Sequence, residues 1–191
     1  MSWLVAVLAV FLQTASPVVV VFETDLGKFE VAVDVAHAPV TAGNFLKYVD
    51  DGAYNGGYFH RTVRPDTEVD TVNPIQVVQA SPARGSKSYP AIPLERTSVT
   101  GLSHVAGAIS YGRSTPDSAQ SDFFICVTDN KELDFGGKRN VDGQGFAAFG
   151  GVVSGMDVIK KIQAAPTQPN ATGRTKQNLQ PRVNIIKAYR K

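Results

Sequence analysis

Cysteine occurs once in the 191 residues, as Cys126, which excludes an internal disulfide and any cysteine-cluster metal site. Histidine is nearly as scarce. His37, His60 and His104 are far apart in the chain and form no His-x-His or His-Glu-x-x-His pattern, so no metal is expected. There is no Gly-x-Ser-x-Gly elbow for a serine nucleophile, and no Walker or dinucleotide glycine loop follows a strand pattern, so no nucleotide cofactor is expected. Charge of one sign is also lacking: 19 Lys and Arg stand against 17 Asp and Glu, a formal +2. That balance hides an asymmetry, because Arg174, Lys176, Arg182, Lys187, Arg190 and Lys191 form an acid-free basic end, leaving 13 cations against 17 acids, or −4, elsewhere. The six are too dispersed for a nucleic-acid patch and read as solvated surface.

No apolar run reaches the roughly 20 residues that a membrane-spanning helix needs. The longest is Trp3 to Leu12, followed by Gln13, Thr14, Ala15, Ser16 and Pro17. Its length suits the h-region of an export signal and Thr14 to Ser16 suits a processing site, although no cation precedes the run. A buried terminal strand or helix and an uncleaved anchor are the alternatives. Residues 1–16 are thus expected to be a signal peptide, 17–191 a single exported domain, periplasmic or secreted, with no stable membrane insertion after processing.

What the chain has in quantity is short β-patterned runs. Val18 to Glu23 and Lys28 to Asp34 flank a turn at Thr24 to Gly27, with Phe29, Val31 and Val33 alternating onto one face, which predicts a hairpin. Pro39 opens a helical pattern through Ala42, Phe45, Leu46 and Val49 that stops at Gly52. Strands are expected at Tyr58 to Val63, Ile75 to Ala80, Ala108 to Tyr111, Phe123 to Val127, Phe146 to Val153 and Val183 to Ala188, with a second helix at Met156 to Gln163. Pro166 to Gln180 reads as the most mobile polar stretch. Many short strands with two helices predict a mainly β sandwich or barrel.

Cys126, inside the apolar run Phe123 to Val127, reads as an inert buried thiol rather than a nucleophile. The sequon Asn170-Ala171-Thr172 reads as chance. Phe59-His60-Arg61 alone is an ordinary strand alternating core and surface. In order along the chain, however, come Phe59-His60-Arg61, then Gly107-Ala108-Ile109-Ser110-Tyr111-Gly112-Arg113 with Ser121-Asp122-Phe123-Phe124-Ile125, then Leu133-Asp134 with Phe146-Ala147-Ala148-Phe149-Gly150-Gly151-Val152-Val153-Ser154-Gly155-Met156-Asp157-Val158. Together these resemble the cyclophilin-type peptidyl-prolyl isomerases from about Val18 to Lys187.

The resemblance implies a closed eight-stranded antiparallel barrel capped by two α-helices. It further implies a monomer that needs neither cofactor nor metal, binds no nucleic acid and takes proline-containing segments of client proteins as partners. Carried onto this chain, it makes Arg61 the catalytic residue. Phe124 and Leu133 fall at the proline ring with Phe146 on the rim, Val77 and Gln79 on the wall and backbone contact, and Gly112 and Arg113 beside the residues before proline. His60 supports the arginine. This chain departs from the family in Gln79-Ala80-Ser81, where Gln-Gly-Gly is usual, and in extra residues between Arg64 and Pro74 that blur the alignment of Gln76 and Val77. Asp122 stands where glutamine is usual and is expected to pair with Arg61 or Arg113 and orient the guanidinium. Glu132 and Phe146 replace a tryptophan and a histidine of cyclosporin-sensitive members, which implies weak cyclosporin binding.

Three functions compete on these residues. An isomerase is favoured by Arg61, Gln79 and Phe124 together. Asp122 and the altered Gln79-Ala80-Ser81 leave room for a proline-peptide-binding module or chaperone on the same barrel. A small-ligand barrel needs an empty interior, which the many large apolar residues oppose.

Overall fold

The computed structural model describes residues 17–191, so the expected signal segment lies outside the described residues. Eight antiparallel strands close on themselves: β1 (Val18–Thr24), β2 (Gly27–Val33), β3 (Tyr58–Val63), β4 (Val77–Ser81), β5 (Ala108–Tyr111), β6 (Phe123–Cys126), β7 (Ala148–Ser154) and β8 (Asn178–Arg190). Around the barrel they run β1-β2-β7-β5-β6-β4-β3-β8, so no edge is left open. The β1–β2 hairpin keeps the expected alternation, with Phe29, Val31 and Val33 all buried. Three strands start two or more residues from the expected position, β4 at Val77 rather than Ile75. β7 starts at Ala148, because the Phe146 N–H is spent on the Leu133 carbonyl (2.9 Å), and β8 starts at Asn178, five residues before Val183.

The interior is filled rather than hollow. Phe22 and Phe29 stack 4.9 Å apart, and Phe123 meets Phe22 at 5.5 Å. Helix α1 (Pro39–Asp50) inserts Phe45 against Phe149 at 5.0 Å, and α3 (Met156–Ala164) contributes Val158, Ile159 and Ile162 to the same cluster. A third helix, the single turn α2 (Thr97–Thr100), has no amphipathic repeat to announce it. The connection leading into it has a task. Helix α1 has no side-chain cap of its own, and the Glu95 carboxylate accepts the Val40 and Thr41 N–H groups at 3.0 and 2.7 Å, placing an anion at the positive end of the helix.

Close approach of β2 and β7 requires Gly150, since a Cβ there would lie 2.2 Å from the Ala32 carbonyl oxygen. The wall built by β3, β4 and β6 is buried on both faces. Phe123 and Ile125 point into the interior cluster, while Phe124 and Cys126 join a second cluster outside it with Val63, Ile75, Val77, Ala108 and Leu133. Double-sided burial accounts for the unbroken apolar run at Phe123 to Val127. It also puts an apolar surface on the outside of the barrel.

Candidate active site

That outer cluster floors a cavity of about 160 Å³ lined by Val77, Phe124, Leu133 and Phe146 on its apolar side and by Arg61, Gln79, Gly112 and Arg113 on its polar side. Eight of the ten residues singled out from the sequence therefore meet in one place. Leu133 is delivered by a 3-10 turn, Lys131–Leu133, and Phe124 and Phe146 meet edge to face at 5.5 Å. Phe124 is held from behind by the fully buried His104, whose ring stacks on it at 5.8 Å. His104 is itself fixed at both ends: Nδ1 donates to Asp134 at 2.6 Å and Nε2 lies 2.9 Å from the Ser110 hydroxyl. Burial opposes the charge on Asp134, yet hydrogen bonds from His104 and Ser103 keep its carboxyl below the usual range.

Arg61 is gripped by two amides. Its Nε donates to Gln177 Oε1 at 2.9 Å and its Nη1 to Gln79 Oε1 at 3.0 Å, while Gln177 Nε2 donates onward to the Thr67 carbonyl at 3.0 Å. These bonds fix the guanidinium plane and leave its remaining N–H groups for the cavity. Burial, then repulsion from Arg139 and Arg174, lowers the Arg61 pKa to about 10, so the group is still charged near neutral pH. Because Gln79 spends its oxygen on Arg61, its NH₂ is the end left facing Gly112, where a Cβ would approach Nε2 to 3.2 Å. Register resolves the neighbouring ambiguity: Val77 pairs with Val63 and Cys126 and is buried in the site, whereas the Gln76 amide oxygen lies 3.3 Å from Gln163 Nε2.

Two expected residues lie elsewhere. His60 sits at an irregularity in the β3–β4 register and lines a separate cavity with Tyr58, Ser81 and Arg182. Burial first, then Arg61 and Arg182, lowers its pKa to about 4, so it rests as the neutral imidazole. Asp122 does not pair with Arg61 or Arg113. Ser81 Oγ donates to it at 3.0 Å, and Ser81 also meets His60 Nδ1 at 3.2 Å, so Ser81 intercepts the carboxylate that was expected to orient the arginine. Arg113 is occupied by Asp142 through both terminal nitrogens (2.8 and 2.9 Å) and by the Gly145 carbonyl through Nε (2.7 Å), with its guanidinium 5.0 Å from the centre of the Phe146 ring. The hydrogen bond from Arg113 lowers the Asp142 carboxyl to about 2.

Sequence reading missed Gln177 altogether. The stretch Pro166 to Gln180, expected to be the most mobile, contains a 3-10 turn, Gly173–Gln177, that buries Gln177 completely beneath Arg61. The extra residues after Arg64 likewise form a wall rather than a spare loop. The carboxylate of Glu68, whose side chain is 5% exposed, binds the Ile75 N–H at 2.9 Å and Arg139 at 2.9 Å, and Ile75 and Arg139 both line the cavity. Arg174, read as surface, lines it too.

The model of the cyclophilin type peptidyl-prolyl cis-trans isomerase family matches residues 19–190. Among curated relatives, the chain is 38% identical over 152 residues to peptidyl-prolyl cis-trans isomerase A of Dickeya dadantii, covering 78% of this chain and 73% of that one. It is 34% identical over 149 residues to peptidyl-prolyl cis-trans isomerase B of Escherichia coli, covering 78% and 85%. The fold superposes on a cyclophilin type peptidyl-prolyl cis-trans isomerase of Cryptosporidium parvum with a TM-score of 0.71 at 15% identity, over 92% of this chain and 98% of that one. A second structure of that protein, solved in the presence of the dipeptide Ala-Pro, gives 0.70. The closed barrel, the ordered motifs and these matches together place the chain in the cyclophilin-type peptidyl-prolyl cis-trans isomerase family.

Proposed function

We propose that the protein accelerates rotation about the X-Pro peptide bond in polypeptide segments and so assists the folding of client proteins. The reading is carried by one observation: a guanidinium fixed by Gln177 and Gln79 at the edge of an apolar cavity floored by Phe124, Val77 and Leu133. Amide resonance sets a barrier of about 18–20 kcal/mol to this rotation. In the twisted amide the carbonyl carries less charge and the nitrogen regains a lone pair, so a catalyst needs an apolar seat for the ring and a donor for that nitrogen. Arg61 serves as the donor and the three apolar side chains form the seat, with Phe146 at its rim. The Gln79 NH₂ and the strand around Gly112 hold the backbone on either side. A hydrogen bond to a charged donor contributes about 1.5–3 kcal/mol, or one to two factors of ten in rate. Desolvation of the amide in the cavity and restraint of the flanking peptide supply the rest.

The test is proline-limited refolding of a model substrate protein with wild type and with Arg61→Ala. The expected result is acceleration by wild type that drops by about 10- to 100-fold in the variant. Acceleration that survives the substitution removes Arg61 from the mechanism. No acceleration by wild type, with proline peptides still bound, leaves the binding-module reading instead.

We also propose that residues 1–16 direct export to the periplasm or exterior, supported by the apolar run Trp3 to Leu12 and the small residues that follow it. N-terminal sequencing of the secreted or periplasmic product is expected to begin near Pro17; an intact Met1 in that product contradicts processing.

A further inference from the structure

Along the chain bearing β6, Asp122 and Phe124 are two residues apart, so their side chains leave the same face roughly 7 Å from each other. Phe124 floors the apolar cavity. Asp122 lines a second cavity, of about 320 Å³, with Ser114, Ser118, Gln120 and Ser121, and the two cavities share Gln79, Gly112 and Arg113 as a common wall. Apart from Gly112 and Arg113, the lining of the second cavity is hydroxyls, amides and one carboxylate. That carboxylate has a single side-chain partner, the Ser81 hydroxyl at 3.0 Å, and it joins no ion pair among the described residues. Arg113, the one cation in the lining, is committed to Asp142 and Gly145, and its side chain is 1% exposed. Burial pushes the Asp122 carboxyl above its usual range, only partly offset by Ser81, as expected of an anion partly stripped of water without a compensating cation.

We propose that Asp122 makes this second cavity a selectivity site for a lysine or arginine two residues before the target proline. The proposal rests on the reading of the first cavity as the proline seat. Side chains two apart in an extended peptide lie on one side, about 7 Å apart, which is the spacing of Phe124 and Asp122 on the strand beneath them. A substrate ammonium or guanidinium entering the second cavity supplies the cation that Asp122 lacks, and a substrate carboxylate meets repulsion. For a partly solvent-exposed pair the gain corresponds to about two- to fivefold in affinity or kcat/KM.

The test uses peptides Ac-Xaa-Ala-Pro-Phe-amide with Xaa as lysine, norleucine or glutamate. Isomerisation is followed by NMR exchange and affinity by calorimetry, for wild type and Asp122→Asn. At about 0.01 M salt wild type is expected to favour lysine over norleucine two- to fivefold, with glutamate poorest. That ratio should approach one in Asp122→Asn, and also in wild type at about 1 M salt, where the Debye length is about 3 Å. A role of Asp122 in folding alone would not give a charge preference that salt removes. Equal lysine and norleucine values in wild type, or a lysine preference persisting in Asp122→Asn, overturns the proposal. If no peptide is isomerised yet binding favours lysine, the catalytic reading fails and the selectivity stands.

Discussion

Gln177 accepts a hydrogen bond from Arg61 Nε at 2.9 Å across 116 positions of sequence, and with Gln79 it sets the plane in which the guanidinium lies. Gln177 does not line the cavity, so its effect on turnover is one of position. Gln177→Ala should lower kcat about tenfold with a smaller change in KM, since the arginine stays charged but is no longer aimed. Gln177→Glu keeps the acceptor for Arg61 while losing the donor to Thr67, and should recover much of the lost kcat. Steady-state kinetics on a proline peptide reads both; equal losses in the two variants would mean that Gln177 only supports the fold.

Glu68 and Arg139 form an ion pair that is nearly water-free, with side chains 5% and 8% exposed. Neutralising Glu68 leaves the buried Arg139 with only Asp70 at 3.5 Å and the Asn73 carbonyl at 2.9 Å, at a cost of about 1–3 kcal/mol. Glu68→Gln should therefore lower the urea midpoint and, by releasing the Ile75 N–H, raise KM more than it lowers kcat. Denaturation and kinetics on the same preparation separate the two effects.

His60 is neutral in the folded protein down to about pH 4, whereas its reference pKa is 6.5. Between those limits the unfolded chain takes up a proton that the folded protein does not, so stability from this residue is lost as pH falls, by about 3 kcal/mol at most. Acidic groups add their own losses at low pH, so the measurement is a difference. Urea denaturation from pH 7 to pH 4 should show a shallower decline for His60→Asn than for wild type, with the gap developing below pH 6.5.

Cys126 has no exposed surface, and burial pushes its thiol up to about 12, with only partial relief from Asn130. Ellman's reagent at pH 8 should modify less than a stoichiometric amount in native protein over minutes and react fully in urea. Fast native labelling would mean that the outer apolar cluster opens readily.

The parts of the site that were legible before folding are those whose neighbours in space are neighbours in sequence. Phe59 to Arg61 and Phe123 to Cys126 announce themselves as strands, and once β3, β4 and β6 are laid side by side, Arg61, Gln79 and Phe124 fall opposite one another by register. Gln177 gives no such signal: a single amide in a polar stretch acquires its role only when the 3-10 turn brings it beneath β3. Asp122 was misread for the opposite reason. Its charge pointed to an arginine, but a hydroxyl on the neighbouring strand β4, Ser81, reaches it first. Arg139 and Glu68 were invisible because each is ordinary alone, and only their mutual burial, 71 positions apart, makes them part of the wall.

Strand β6 carries Phe123 and Ile125 into the barrel and Phe124 out to the cavity on the same four residues. Thermal tolerance and turnover thus draw on one piece of backbone. Interior repacking at Ile125, even by a methylene, shifts the chain that holds Phe124 and faces Gln79, because a close-packed core transmits such changes rather than absorbing them. Phe45 of α1 packs on Phe123 of β6 at 5.9 Å, so only the exposed face of that helix escapes this linkage; heat-resistant forms that keep wild-type rates are to be sought there, and altered rates are to be expected wherever selection touches the shared wall.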